Sequence, residues 1–239
     1  MSIGMFSIIP VPKWTWDERC IRWVIPWMPV VGGLIGATWF IAAWITSGLS
    51  MPMRAAIVVS IPLVMSGFLH LDGCMDTADA YFSRRSLDEK KRILKDSHVG
   101  AFAVIALACV FVFQVCAGMS ILEENKPLVS LFFIPILARS AVGIMLLNLK
   151  TMSPTGFANM FQNGAGKPQM MFLTVLAVAA MAPSVAFGWT VVLGTLTTFA
   201  TGCGVMLYLA RHFEGTSGDL CGCAITLSEL TGVMVVATC

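Results

Sequence analysis

Long uninterrupted runs of apolar residues dominate the chain and alternate with short polar segments. Each run holds about 17 to 23 residues, the length that an α-helix needs to cross the hydrocarbon core of a membrane. Gly32, Gly33 and Gly36 in the first run predict close contact with another helix. The pattern predicts seven membrane-spanning helices, at residues 30–49, 55–71, 100–122, 128–149, 170–187, 189–210 and 220–238.

The segments between the runs have patterns of their own. We expect the second run to continue directly into an acidic stretch, and Ser86 to open a short helix within the basic segment that follows it. Residues 150–169 hold several Gly and Pro residues, so they do not form one helix. Before the first run, the density of tryptophan predicts a helix lying in the headgroup region, with its side chains Trp14, Trp16, Trp23 and Trp27.

Composition supports this pattern. The 239 residues are 57% hydrophobic and only 12% charged, and the mean hydropathy is +0.84. A soluble domain is far less apolar, and a membrane β-barrel shows short alternating segments rather than long continuous runs. We therefore predict an all-α, polytopic helical membrane protein with about seven transmembrane helices, forming a single domain over residues 1–239.

The positive charges predict an orientation. If the acidic stretch faces the cytoplasm, Arg54 and Lys126 fall on the far side and Arg139 falls within a run. Positive residues concentrate on the cytoplasmic side of membrane proteins, so we expect three polar segments, 70–99, 150–169 and 211–219, to meet there. The same side then holds Lys13, Arg19, Arg22, Arg84, Arg85, Lys90, Lys91, Arg92, Lys95, Lys150, Lys167 and Arg211.

Three aspartates in the acidic stretch carry the clearest chemical signal. Asp72, Asp76 and Asp79 are spaced i, i+4 and i+7, which places their carboxylates on one face of a helix. Like charges beside hydrocarbon are unfavourable unless a cation binds them. Oxygen ligands favour Mg²⁺ first and Mn²⁺ second. A solvated helix end at the membrane surface is the alternative without a metal.

Basic residues near these acids predict binding of phosphate. Arg84, Arg85, Lys95 and Lys150 can hold phosphoryl oxygens that a divalent ion also bridges. Topology and anionic lipid explain the same charges without a substrate.

Four further residues remain open to two interpretations. Arg139 and Glu229 lie within apolar runs, where they either pair with each other or serve a function. His70 is either a structural residue or a partner of Asp72 or phosphate. Asp96 either joins the metal site or caps the third span.

Two families share parts of this sequence. The stretch from Asp76 to Arg84 resembles the core motif of the CDP-alcohol phosphotransferases, although the rest of that motif is missing. A closer resemblance, to the cobalamin synthase family of adenosylcobinamide-GDP ribazoletransferases, covers almost the whole chain. It is carried by His70-Leu71-Asp72-Gly73, Asp76-Thr77-Ala78-Asp79, Lys95-Asp96-Ser97, Gly100-Ala101-Phe102 and Gly218-Asp219. This sequence departs from that family at Ile8, Ala80, Glu214 and Ser217, where Arg, Gly, Gly and Thr are usual.

The resemblance implies a reaction and roles for residues. A hydroxyl of α-ribazole, or of its 5′-phosphate, attacks the cobinamide-linked phosphate of adenosylcobinamide-GDP, and GMP leaves. The residues expected to bind Mg²⁺ are Asp72, Asp76, Asp79 and Asp96. The residues expected to act in catalysis are Asp96, Lys95 and Asp79. Substrate binding falls to His70, Arg84, Arg139, Lys150 and Asp219.

The expected setting is a bacterial or archaeal cytoplasmic membrane, with the active site facing the cytoplasm. Besides the two substrates we expect membrane lipid as a partner and no nucleic acid, and a homo-oligomer stays open. The alternatives are a CDP-alcohol phosphotransferase of phospholipid synthesis and a divalent-cation transporter, whose ion site lies near the membrane midplane rather than at the end of a span.

Overall fold

The computed structural model describes residues 1–12, 17–124 and 126–239. Helices account for most of this part, and the β pairing found within it is an isolated bridge between Thr151 and Thr216. A single 3₁₀ turn follows the tenth helix. The helices are α1 (Ser2–Phe6), α2 (Glu18–Ile21), α3 (Met28–Ile45), α4 (Met51–Met65), α5 (Leu69–Phe82), α6 (Leu87–Ile93), α7 (Ala101–Glu123), α8 (Ser130–Asn148), α9 (Phe157–Gln162), α10 (Lys167–Ser184), α11 (Trp189–His212) and α12 (Gly218–Thr238).

Six of these helices, α3, α7, α8, α10, α11 and α12, are long and apolar enough to cross a membrane. The prediction of an all-α polytopic membrane protein is confirmed. A turn at Gly188 separates α10 and the short 3₁₀ turn from α11, where the sequence predicts two separate spans, and its φ of +100° suits glycine. Helix α10 begins three residues earlier than predicted, because Pro168 fits the first turn of a helix, where no backbone donor is needed.

The second predicted span is wrong at its end. Helix α4 stops at Met65 and the acidic helix α5 starts anew at Leu69, with an angle of 85° between the two. Gly67 has a φ of +61°, and the N–H groups of Gly67 and Phe68 donate to the carbonyls of Val64 and Leu63, each at 2.8 Å. This is a Schellman ending, which satisfies the last carbonyls of a helix and redirects the chain. Acidic residues therefore lie on a separate helix.

The helix predicted across the tryptophan-rich segment is not continuous in the part that the structure describes. Trp14 and Trp16 lie outside the described residues, and between residues 17 and 27 only Glu18–Ile21 is helical. Trp23 and Trp27 instead contact the ring of Phe172 on α10, with centroid distances of 5.7 and 5.3 Å.

Helices α8 and α12 form the centre of the protein. In the most apolar stretch of each helix, 72% of the residues of α8 and 78% of those of α12 are buried. The corresponding fractions are 28% for α7 and 22% for α10. The predicted close contact of the first span is confirmed, because a Cβ atom on Gly32 or Gly36 would collide with the backbone carbonyls of Pro135 or Phe132 on α8. The peripheral helices α7 and α10 are left to face lipid.

A buried ion pair joins the two central helices. Arg139 on α8 is fully buried and donates to the carboxylate of Glu229 on α12, and also to the carbonyl of Pro135 at 3.0 Å. Pairing offsets much of the penalty of a charge in an apolar interior. This agrees with the structural alternative, in which Arg139 and Glu229 pair with each other. Binding of substrate by Arg139 stays a prediction.

One departure from the family pattern predicts a gain in stability. Glu214 has a φ of +57°, a left-handed conformation that costs a residue with a Cβ about 1–2 kcal/mol. After allowance for the greater entropy of unfolded glycine, we expect Glu214→Gly to raise the free energy of unfolding by about 1 kcal/mol in denaturant titrations of the detergent-solubilised protein. Glu214→Ala is the control, since it removes the ion pair with Lys91 but keeps the Cβ atom. An equal gain in both variants would contradict the explanation.

Candidate active site

The three predicted acids lie on one helix, as expected. Asp72, Asp76 and Asp79 belong to α5, whose opposite face carries Cys74, Thr77 and Ala78 and is buried. Asp72 is exposed, whereas Asp76 and Asp79 are half-buried. The helix thus turns its apolar side inward and its carboxylates to one side, which is the arrangement that the spacing of 3.6 residues per turn dictates.

Asp219 joins these acids from the start of α12. The two helices cross at glycines: a Cβ atom on Gly73 would lie 2.8 Å from the carbonyl oxygen of Asp219, and one on Gly222 would lie 3.0 Å from that of His70. Burial raises the pKa of Asp76, and at this crossing the negative charges of Asp72, Asp219 and Asp79 raise it further. We call Asp72, Asp76, Asp79 and Asp219 the acidic cluster. The sequence assigned Asp219 to substrate binding and did not link it to the other three.

Asp79 also forms hydrogen bonds to the backbone at the start of α7. Its Oδ2 accepts the N–H of Gly100 at 2.6 Å and its Oδ1 accepts the N–H of Ala103 at 3.1 Å. These donors belong to the first turn of α7, which lacks acidic residues of its own. A carboxylate there satisfies free N–H groups and opposes the helix dipole. Asp79 therefore anchors α7 to the acidic helix.

We expect Asp79→Ala to lower the free energy of unfolding by about 1–2 kcal/mol, as the loss of a helix cap does. Asp79→Asn retains one acceptor oxygen and should lose less than the Ala variant. Thermal unfolding in detergent, followed by circular dichroism, measures both. Equal stability of Asp79→Ala and the wild type would show that the two hydrogen bonds do not anchor α7.

Asp96 is not among the residues whose charges act on Asp76, and its role as a metal ligand and catalytic residue stays a prediction. It lies in an exposed turn, where its Oδ1 contacts the Nδ1 of His98 at 2.6 Å and accepts the N–H of His98 at 3.1 Å. The hydrogen bonds from His98 lower the pKa of Asp96, and the same contact raises the pKa of His98. Nor does Asp96 cap α7, because Asp79 does so.

The predicted basic and histidine ligands occupy different places. His70 is buried, and its ring stacks on Phe6 with centroids 6.4 Å apart. It therefore lies in the interior and not at the surface. Arg84 is exposed at the end of α5. The side chain of Lys150 is exposed, and its carbonyl accepts the N–H of Thr216 at 2.9 Å.

Three loop segments meet beside the acidic cluster, as predicted. Backbone hydrogen bonds link residues 150–152 to Thr216, and Lys91 forms a 3.5 Å ion pair with Glu214. The short helix α6 brings Lys91 here. As predicted, Ser86 caps its start, and the Ser86 Oγ accepts the N–H of Glu89. Between the segments lies a cavity of about 520 Å³ that Lys91, Lys95 and Asp219 help to line.

The ligand atoms of the acidic cluster suit a hard divalent ion, but they are not yet arranged around one point. All its ligand atoms are carboxylate oxygens, the type that Mg²⁺ prefers. The mutual repulsion at Asp76 is relieved when positive charge enters. Across the described residues, however, no three His, Cys, Asp or Glu side chains already converge on one point.

The fold and the cluster together define a polytopic helical membrane protein whose carboxylates and lysines share one end of the helix bundle. Comparison with known proteins then places it: the profile of the cobalamin-5-phosphate synthase family matches residues 1–237. The chain belongs to this family, and the resemblance inferred from its motifs is confirmed.

Individual relatives agree. The chain is 32% identical over 239 residues to a protein of Clostridium perfringens (strain 13 / Type A), covering 99% of this chain and 95% of the relative. A protein of Clostridium botulinum (strain Eklund 17B / Type B) is 34% identical over 98% of this chain and 94% of its own length. One of Geobacillus thermodenitrificans is 28% identical, with coverages of 96% and 90%. Each is named adenosylcobinamide-GDP ribazoletransferase. No solved structure matches the chain.

Proposed function

We propose that this chain catalyses the reaction for which its relatives are named. A hydroxyl of α-ribazole, or of its 5′-phosphate, forms a new bond to the cobinamide-linked phosphorus of adenosylcobinamide-GDP. The anhydride bond of the diphosphate breaks, and GMP leaves. The observation that carries the proposal is the acidic cluster beside a lysine-lined cavity, in a chain that matches the family over residues 1–237.

Within this proposal Asp72, Asp76 and Asp219 hold Mg²⁺. When bound, the ion neutralises diphosphate oxygens and makes phosphorus easier to attack. Asp79 keeps its hydrogen bonds to α7 and adds charge and position rather than a ligand atom. In this proposal Asp219 replaces Asp96 in the ligand set. The reason is that the charge of Asp219 raises the pKa of Asp76, whereas that of Asp96 does not contribute.

The other residues of the site bind and orient the substrates. Lys91 and Lys95 place positive charge on the cavity side of Asp219, where they attract the diphosphate and stabilise the departing phosphate. Arg84 and Lys150 add positive charge at the exposed edge. The proton of the attacking hydroxyl would pass to Asp79, the one carboxylate of the acidic cluster that this ligand set leaves off the metal.

We further propose that the site faces the cytoplasm of a bacterial or archaeal cell. The ends of α5, α8 and α11 and the starts of α7 and α12 meet at one side of the bundle, which bears most of the lysine and arginine residues. The positive-inside rule then supports a cytoplasmic location for that side. Labelling of Lys95→Cys in intact cells and in inverted vesicles tests it, since only inverted vesicles should expose this residue to an impermeant thiol reagent.

Release of GMP tests the proposed activity. The purified chain is incubated with Mg²⁺, adenosylcobinamide-GDP and α-ribazole, and GMP is measured by chromatography. We expect GMP to form only when all three are present and to disappear with a chelator. Parallel trials with a CDP-activated lipid and with vesicles loaded for metal flux test the two alternative functions. Activity in either, without GMP release, would refute the proposal.

The proposed metal site also predicts an effect on stability without substrate. Removing one of several crowded like charges relieves repulsion, so we expect Asp76→Asn to raise the free energy of unfolding of the metal-free protein by about 1 kcal/mol. Millimolar Mg²⁺ should stabilise the wild type and leave this variant nearly unchanged. Thermal unfolding with and without Mg²⁺ measures both effects. A variant less stable than the metal-free wild type would contradict the expected repulsion.

A further inference from the structure

The cavity between the three loop segments adjoins the acidic cluster without containing it. Asp219 lines the cavity, whereas Asp72, Asp76 and Asp79 do not. Its volume of about 520 Å³ falls within the range of small-molecule sites. A nucleotide is of suitable size for this space, and a complete corrinoid is too large. The cavity can therefore hold only one part of the large substrate, next to the atoms that react.

One wall of the cavity is suited to an anion. Lys91 and Lys95 both line it, and no acidic side chain of the described residues lies within ion-pair distance of Lys95. Thr216 is only 1% exposed, and its hydroxyl has no hydrogen-bond partner within the described part of the chain. A buried hydroxyl without a partner is unfavourable. Because Thr216 lines the cavity, rotation of its side chain would let a phosphate oxygen there provide that partner.

Another part of the cavity lining is suited to an aromatic base. Phe157, the first residue of α9, lines the cavity and is 67% exposed, so its ring is accessible from the cavity. Its ring is held by stacking on Phe161, with centroids 6.4 Å apart and planes at 23°. Met152 and Met160 add soft apolar surface beside it. A held, exposed aromatic ring offers a platform for stacking a nucleobase.

We propose that this cavity binds the guanosine monophosphate half of the donor, the half that leaves as GMP. The purine stacks on Phe157, and its phosphate contacts Lys95 and the hydroxyl of Thr216. The second phosphate, which stays with cobinamide, then lies towards Asp219 and the acidic cluster. This assignment rests on the proposed function. The 5′-phosphate of α-ribazole has the same chemistry, a base and a phosphate, and the experiment distinguishes the two.

Binding of GMP, without turnover, tests the assignment. Isothermal titration calorimetry on the full chain in detergent micelles compares GMP, guanosine and α-ribazole 5′-phosphate. We expect Phe157→Ala to weaken binding of GMP and of guanosine by about tenfold, the usual effect of a lost stacking partner. Lys95→Gln should weaken GMP by about tenfold but leave guanosine unchanged. Phe187→Ala and Lys167→Gln are matched exposed controls outside the cavity and should bind GMP as the wild type does.

The outcomes separate this assignment from the proposed function. If the wild type releases GMP from the donor but GMP binding is unchanged in both cavity variants, the function stands and the cavity assignment fails. Loss of α-ribazole 5′-phosphate binding instead of GMP binding would also overturn it, as would failure of the wild type to bind GMP. If the wild type releases no GMP while both variants lose GMP binding, the cavity is a GMP site but the proposed function fails, and with it the assignment to the donor. Unfolding midpoints equal to that of the wild type confirm that the variants fold.

Discussion

The variants Asp76→Asn and Asp219→Asn should each lower the rate of GMP release at saturating substrate by at least about 100-fold, while the protein still inserts into membranes. Each substitution removes one negative oxygen from a proposed divalent-ion site, and the effect of a lost ligand exceeds the tenfold to 100-fold typical of outer positions. Steady-state GMP release by purified variants, over a range of Mg²⁺ concentrations, measures the loss. Excess Mg²⁺ should restore part of the rate if the ion is merely bound more weakly.

Asp96→Asn is the matched control for these two variants. It makes the same chemical change at an aspartate that lies in an exposed turn and pairs with His98. We expect its rate to stay within a few fold of the wild type. Full activity of Asp219→Asn together with loss of activity in Asp96→Asn would restore the ligand set inferred from sequence and refute the one inferred from structure.

The second large effect is expected in the protein interior. Arg139→Met leaves the carboxylate of Glu229 buried without its partner, and such uncompensated charges cost about 3–5 kcal/mol. We therefore expect a correspondingly lower free energy of unfolding and a reduced yield of folded protein. Because the pair joins α8 to α12, whose first residues include Asp219, the loss should also loosen the acidic cluster. Denaturant titration in detergent micelles measures the stability.

The double variant Arg139→Met, Glu229→Leu distinguishes a structural pair from a functional one. Replacing both charges with apolar residues removes the penalty, so most of the lost stability should return. The rate of GMP release per folded molecule should return with it, since neither side chain reaches the cavity or the acidic cluster. A double variant that is stable but inactive would show that Arg139 acts on substrate after all.

Helix prediction from hydrophobicity succeeded where the chain is long and apolar, because crossing a membrane requires about twenty such residues in a row. It failed at Ser66, Gly67 and Phe68, where the apolar run continues but the backbone turns by 85°. Only Gly67 hints at this break, and glycine is common within membrane helices. The apolar run extends past the break to Leu71, so hydrophobicity alone does not reveal the change of direction.

The site was partly predictable for a similar reason. Asp72, Asp76 and Asp79 are four and three residues apart, so helix geometry alone aligns them. Asp219 is distant in sequence and reaches them only because Gly73 and Gly222 let two helices cross closely, which no local pattern reveals. Asp96 is close to the motif in sequence, but its carboxylate contacts His98 in an exposed turn. The roles of Phe157 and Thr216 depend on a cavity that exists only after folding.

Binding of Mn²⁺ to the purified chain, followed by electron paramagnetic resonance, tests most directly whether the acidic cluster holds a divalent ion. We predict one bound ion per chain in the wild type, at least tenfold weaker binding in Asp76→Asn and Asp219→Asn, and unchanged binding in Asp96→Asn. Mg²⁺ should compete for the same ion. Wild-type affinity in both Asp76→Asn and Asp219→Asn would contradict the assignment of this cluster as the metal site.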